Sequence, residues 1–254
     1  MAESFGSDAE RYDRSRPRYP DAMVRRIVAA SPGPDVLDVG CGTGIAARQF
    51  QGAGCRVLGV EPDARMAEFA RRSAIEVEVA TFEGWDPAGR TFDAVIAGQS
   101  WHWVEPVGGA AKAGSVLRPR GRLAVFRNDH HPPADLADAF AEASRRVLPE
   151  ALAARLQAEP AADGSSTLST KTAEGIRQAA VFDEPREWRF DWERSYTRDE
   201  WLEGLPTQGF YTGLAPDKLD QLLADTGAAI DAAGGNFTMR YTTTVITATR
   251  SANA

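Results

Sequence analysis

Between residues 36 and 44 the sequence reads VLDVGCGTG. An apolar run ends in a carboxylate, Asp38, and passes at once into three glycines at alternate positions, Gly40, Gly42 and Gly44. Glycine packs nothing and costs backbone entropy, so the cluster needs a local reason. A glycine turn placed after a first strand and before a helix lets the backbone approach a ligand closely. Dinucleotide loops are spaced G-x-G-x-x-G and set a pyrophosphate on the helix N-terminus. Here the spacing is G-x-G-x-G, Ile45 stands where that pattern has its third glycine, and nothing basic lies in the loop. Asp38 would sit awkwardly beside a pyrophosphate; it suits a ligand carrying an ammonium and a sulfonium. A second acid, Glu61 in the run GVEPD, ends the second strand, 23 residues further on. A carboxylate there can accept hydrogen bonds from both ribose hydroxyls, each worth roughly 1.5–3 kcal/mol. The two acids together point to a nucleoside-linked amino acid.

Other reactive groups are few. His102 lies in QSWHWV between Trp101 and Trp103. Its ordinary pKa of about 6.5 suits a general base, and a structural or cofactor-orienting role is the alternative. His130 and His131 follow Arg127 with no third ligand at metal spacing, so no metal centre is expected. Two cysteines, Cys41 and Cys55, make no disulfide framework and read as reduced thiols.

The elements that must hold these groups alternate. DAMVRRIVAA puts Val24, Ile27 and Val28 on one helical face, and VLDVG follows as a buried strand. IAARQFQGAG reads as a helix, CRVLGVEPD as a second strand, ARMAEFARRSA as a second helix after it, and IEVEVA as a third strand. TFDAVIAGQ and GRLAVF supply strands four and five. Strands alternating with helices imply a parallel sheet covered on both faces. After Phe126 the rhythm changes. Leu136, Phe140, Ala143 and Val147 fall at helical spacing before Pro149; AADGSSTLSTKT reads as a loop or mobile linker. EWRFDW is a strand, TRDEWLEGL and APDKLDQLLADTGAAI are helices, and RYTTTVITATR is a final β-branched strand. Residues 127–185 and 193–238 look like insertions at strand ends, where such segments commonly wall a ligand site.

The chain has 254 residues, 43% hydrophobic and 26% charged, enough for one large α/β domain. Its net charge of −7 disfavours a nucleic-acid partner. The opening residues carry no apolar signal core and no stretch approaches about 20 apolar residues, so the expectation is a cytoplasmic, soluble protein with no membrane partner.

VLDVGCGTG, GVEPD and FDAVIAGQSWHWV resemble the successive motifs of class I S-adenosylmethionine-dependent methyltransferases, and YDRSRPRYP with the HW pair is similar to the trans-aconitate methyltransferase branch. The resemblance covers residues 12–126 and resumes loosely at the last strand. It implies an α/β fold with a doubly wound, mostly parallel seven-stranded sheet and helical insertions near the C-terminal strands. It divides the chain into an N-terminal helical arm over the cofactor (1–30), a cofactor-binding core (31–126), a helical insertion or cap (127–185), and the remaining core strands with their own insertion (186–254). The implied cofactor is S-adenosyl-L-methionine, leaving as S-adenosyl-L-homocysteine. Gly40, Cys41, Gly42 and Gly44 would wrap its methionine part, with Asp38 near the ammonium. Glu61 would hold the ribose, Pro62 and Met66 would flank the adenine, and Phe82 and Glu83 would contact its ring and amino group. Gln99 and Ser100 would lie close to the sulfonium; Tyr12, Arg16 and Tyr19 would fold over the cofactor.

For the acceptor, Trp101, Trp103 and Arg127 are the candidate contacts, with Arg18 an alternative partner for a carboxylate. Trp188, Trp192, Trp201, Phe210 and Tyr211 either build an apolar pocket or form ordinary core. The function implied is methyl transfer to a small molecule (carboxylate, hydroxyl or heterocycle) by in-line displacement. Methylation of RNA or protein, cofactor binding without turnover, and a nucleotide-dependent oxidoreductase are the competing readings; the oligomeric state is open.

Overall fold

The order of the strands sets where a ligand can sit. The computed structural model describes residues 8–150, 152 and 167–252. Its sheet comprises β1 (Asp35–Val39), β2 (Arg56–Glu61), β3 (Glu76–Val79), β4 (Phe92–Gly98), β5 (Leu117–His131), β6 (Arg186–Thr197) and β7 (Asn236–Thr249). They lie side by side as β3-β2-β1-β4-β5-β7-β6. The first five run parallel, and β7 is antiparallel to both of its neighbours. This is the mostly parallel seven-stranded sheet that the sequence implied. Strand order reverses between β1 and β4, and a crevice opens at such a switch point beyond the carboxyl ends of the strands.

Each face of the sheet has its own core. On one, α2 (Asp21–Ala29), α3 (Ile45–Gly52) and α4 (Ala64–Arg72) cover Val36, Ile96, Ala124 and Phe126. On the other, α5 (Pro106–Val116) covers Leu37, Val39, Val95 and Leu123. Because strand side chains alternate, Asp38 shares a face with Val36 and points toward the first set of helices. A short helix, α1 (Ala9–Ser15), precedes them.

Strands β5, β6 and β7 have 15, 12 and 14 residues, against at most seven in the others, so they project past the sheet's rim. Their far ends carry a third apolar core. In it α6 (Ala134–Val147), α8 (Arg198–Gly204) and α9 (Pro216–Ala232) pack Leu136, Trp201, Leu222 and Ile230 onto Phe237, Met239 and Tyr241.

Two expectations are corrected. Strand five does not stop at Phe126 but continues to His131, each residue paired across to β7 from Phe126↔Val245 to His131↔Arg240. The loop expected over 161–172 is helical from its seventh residue, as α7 (Thr167–Ala179); its first six residues lie outside the described ones. Ser169, Thr172, Gly175 and Ile176 form the buried face of α7. A Cβ on Gly175 would meet the Pro106 carbonyl oxygen at 2.6 Å, so small residues let α7 press onto the start of α5. Among the described residues, no helix is long and apolar enough to cross a membrane.

Candidate functional site

Two carboxylates end up buried at neighbouring strand tips. Glu61, 6% exposed, accepts the Gly42 backbone N–H on Oε2 at 2.8 Å and the Asp63 N–H on Oε1 at 2.9 Å. Burial pushes its pKa up, and the Asp63 and Gly42 hydrogen bonds oppose that rise. Each carboxylate oxygen keeps a further lone pair for a ligand hydroxyl. Asp38 is 1% exposed, and its Oδ2 has no hydrogen-bond partner. Burial and then the Glu61 charge push its pKa up to about 7; a bond from the Ala47 backbone pulls the other way. Leaving a buried acceptor unpaired costs on the order of 1–3 kcal/mol, more for a charged one. A cationic ligand would remove that cost.

The glycine loop supplies the space between them. Gly40, Gly42 and Gly44 have φ of +65°, +56° and +84°, a region that favours glycine. A Cβ on Gly40 would lie 2.5 Å from that of Ser100, so this glycine lets the loops after β1 and β4 touch. A Cβ on Gly42 would meet nothing within 4 Å. Gly42 therefore borders open space beside both carboxylates. Cys41 turns its thiol under Gly59, where burial raises its pKa well above normal.

The other expected cofactor contacts distribute unevenly. Pro62 follows Glu61 at the rim, and Met66 is buried on α4. The Phe82 ring is core, packed between Trp85 and Trp101 at 6.4 and 6.2 Å. Glu83 is exposed and accepts the Glu105 N–H at 3.2 Å. Tyr19 is buried, with its ring edge-on to Phe126 at 4.7 Å. Burial raises its pKa well above normal, and both Tyr12 and Asp38 add to the shift. The Arg16 guanidinium lies over the Tyr12 ring at 4.7 Å and donates to the Thr207 carbonyl. Tyr12, Arg16 and Tyr19 thus run between the glycine loop and the helical segment joining β6 to β7.

Gln99, Ser100, Trp101, His102 and Arg127 come together with Lys171 of α7 around a cleft of about 290 Å³ on the α5 side of the sheet. Gln99 has φ +60°, a strained value for a residue with a side chain. Burial lowers the His102 pKa. Trp103 does not line this cleft; it is 49% exposed, with its ring 4.8 Å from that of His102. Arg127 donates to Asp129 at 2.8 Å.

The opposite face holds a cluster that the residue pattern did not single out. His130 lies 6.3 Å from the Trp201 ring and 6.4 Å from Tyr241, beyond the expected end of strand five. The available signal was alternation: Phe126, Asn128 and His130 step along one face of an extended strand.

Residues 36–121 match the family model described as a methyltransferase domain. An uncharacterized methyltransferase of Mycobacterium tuberculosis is 36% identical over 131 residues, 50% of this chain and 53% of the relative. The chain thus spans about half the length of that relative. A demethylmenaquinone methyltransferase of Tropheryma whipplei is 32% identical over 170 residues, 62% of this chain and 70% of the relative. A solved structure from Anaeromyxobacter dehalogenans, whose type II methyltransferase name is itself an inference, superposes with a TM-score of 0.64 at 22% identity, covering 93% of this chain and 98% of its own. That likeness concerns the fold.

Proposed function

The chain belongs to the class I S-adenosylmethionine-dependent methyltransferases, and from that premise we propose that it transfers a methyl group to a small-molecule acceptor. The observation that carries the reading is the acid pair: Asp38 with a buried oxygen lacking a partner, and Glu61 pre-set by two backbone donors, on either side of the space at Gly42. The donor set fits the cofactor. An ammonium matches Asp38, ribose hydroxyls match Glu61, and the loop leaves room where Gly42 lacks a side chain. When bound, S-adenosylmethionine supplies an electrophilic methyl carbon on a sulfonium leaving group.

The protein's own residues then have three tasks. Asp38 and Glu61 fix the two ends of the nucleoside, so alignment, which lowers such barriers by up to roughly 7–11 kcal/mol in favourable models, is set by the strand tips. Tyr19, with its hydroxyl 2.7 Å from where a Gly98 Cβ would stand, closes the tip of β4 against water. The arm residues Tyr12 and Arg16 extend that closure to the helical segment between β6 and β7. Pro62, Met66 and Glu83 are the contacts we assign to the adenine side, and Gln99 and Ser100 those beside the sulfur.

A small acceptor is supported by the net charge of −7, which disfavours a polyanionic partner, and by a relative named for demethylmenaquinone. The test has two parts. Calorimetry should find S-adenosylhomocysteine binding that Asp38→Asn abolishes. Incubation with S-adenosylmethionine and metabolite mixtures should then yield a product one methylene heavier by mass spectrometry. Binding without any methylated product would leave a cofactor-binding protein instead.

A further inference from the structure

Beyond the expected end of strand five, the chain gathers a second group of polar and aromatic side chains. Phe126, Asn128 and His130 share one face of β5, the face that also carries Asp38 through β1. Phe126 pairs with Gly98 at the tip of β4 and touches Tyr19. Four residues further, about 13 Å along the strand, the His130 ring faces Trp201 and Tyr241. His130 is exposed, and the surrounding protein, then His131 and Arg16, lowers its pKa.

Two N–H donors there lack partners. Trp201 is 8% exposed and its Nε1 is buried without a hydrogen bond. Arg16 Nε is likewise buried and unpaired, while the same guanidinium donates to the Thr207 carbonyl. Folded proteins leave few such donors unsatisfied, and those that persist ask for a ligand or another explanation. The Tyr241 hydroxyl, by contrast, is occupied by Tyr196 at 2.7 Å. The charges acting on His130 are cationic, and flat rings flank it: Tyr241, stacked on Trp192 at 4.3 Å, and Trp201, stacked on Phe140 at 5.8 Å.

We propose that Arg16, His130 and Trp201 form the subsite that reads the methyl acceptor, and that the acceptor is a planar aromatic molecule bearing an anionic or enolic oxygen. The inference rests on the methyl-transfer reading above. The ring lies among Trp201, Tyr241 and His130, the oxygen takes the two free N–H groups, and the rest of the molecule reaches back toward Gly98. Neutral imidazole adds no charge of its own and can donate or accept one hydrogen bond. The arm supplies Arg16, so acceptor and cofactor are covered by the same segment.

The test uses the full chain saturated with S-adenosylhomocysteine and titrated with 4-nitrophenol, whose phenolate absorbance reads its ionisation. The bound probe should ionise at a lower pH than the free one. Trp201→Phe, which keeps the ring and deletes the donor, and His130→Gln should each weaken probe binding about tenfold or more. Unchanged affinity for S-adenosylhomocysteine shows that both variants remain folded. His102→Ala reports on the cleft across the sheet. Loss of probe binding in that variant, with none in the other two, overturns the proposal, as does a probe that fails to bind a protein holding S-adenosylhomocysteine. Failure to bind S-adenosylhomocysteine itself would instead remove the methyl-transfer reading, and this inference with it.

Discussion

The backbone N–H of Gly42 donates to Glu61 Oε2 at 2.8 Å, so the acid at the tip of β2 also holds the loop that follows β1. The second oxygen is held by Asp63 N–H, at the first turn into α4. Glu61 is thereby oriented by backbone from both sides before any ligand arrives, which is how a binding group avoids spending affinity on its own ordering.

Glu61→Ala should therefore cost more than ribose contacts. It deletes two charge-assisted acceptors and leaves the Gly42 and Asp63 N–H groups to find water. Affinity for S-adenosylhomocysteine should fall at least about tenfold, equivalent to about 1.4 kcal/mol, and the melting temperature should fall too. Calorimetry and a thermal melt check both. Full affinity in the variant would end the assignment.

Asp38 makes binding pH-dependent in a stated direction. Its carboxyl, with a pKa near 7 in the free fold, must ionise to meet an ammonium. Affinity should rise with pH up to about 7 and level off above, with protons released on binding. Calorimetry in buffers of different ionisation enthalpy reads that release directly. Stability runs the opposite way. A carboxyl whose folded pKa lies above its unfolded 3.8 contributes stability below pH 3.8 and loses it as pH rises through about 7. The ligand-free protein should lose up to about 4 kcal/mol from this group across that interval. Asp38→Asn should remove that loss, melt higher than the parent above pH 7, and bind no cofactor. A variant that melts no higher would show that Asp38 carries no such strain.

Much of the core could be read because it repeats a simple rhythm. VLDVG, RVLGVE and FDAVIAG are short apolar runs with turn residues at their ends, and nothing in their surroundings overrides that pattern. The extension of β5 was hidden because Arg127, Asn128, Asp129, His130 and His131 are polar on both sides. They are strand because Thr244, Thr243, Thr242, Tyr241 and Arg240 of β7 pair with them in turn, a partner more than a hundred residues away. Helix α7 was hidden by Ser, Thr and Gly, which favour turns locally. Its helical state comes from contact with α5, which the chain cannot report from its own composition. Likewise α5, PVGGAAKAGSV, was not read as a helix because its glycines lower propensity; Gly114 is there because a Cβ would meet Val181 at 2.6 Å.

Gly40 and Gly42 should respond differently to the same substitution. Alanine at Gly40 brings its Cβ to 2.5 Å from that of Ser100, so the loops must part and the protein should be destabilised. Alanine at Gly42 meets nothing, and its cost is the left-handed backbone alone, about 1–2 kcal/mol. Gly42→Ala should stay folded and bind more weakly, and Gly42→Val should stay folded and not bind. Thermal melts beside calorimetry separate the two positions. Full-strength binding by Gly42→Val would mean that no ligand occupies the space beside it.

Arg48 ties the N-terminal arm to the glycine loop. It donates to the Thr43 carbonyl at 2.7 Å and pairs with Asp13 of α1, and both side chains are largely shielded from solvent. In the proposed reading, closure of the arm over the cofactor should therefore depend on a residue assigned no ligand contact. Arg48→Ala should speed hydrogen exchange across residues 9–18 and weaken S-adenosylhomocysteine binding several-fold, with slower exchange restored as ligand saturates. Asp13→Ala should do the same, and the double variant should lose little more than either single one, because the two groups act as one pair. Exchange in the arm that is indifferent to Arg48, or two losses that simply add, would show that the arm is held from the β6–β7 segment instead, where Arg14 meets Glu203 and Arg16 meets Thr207.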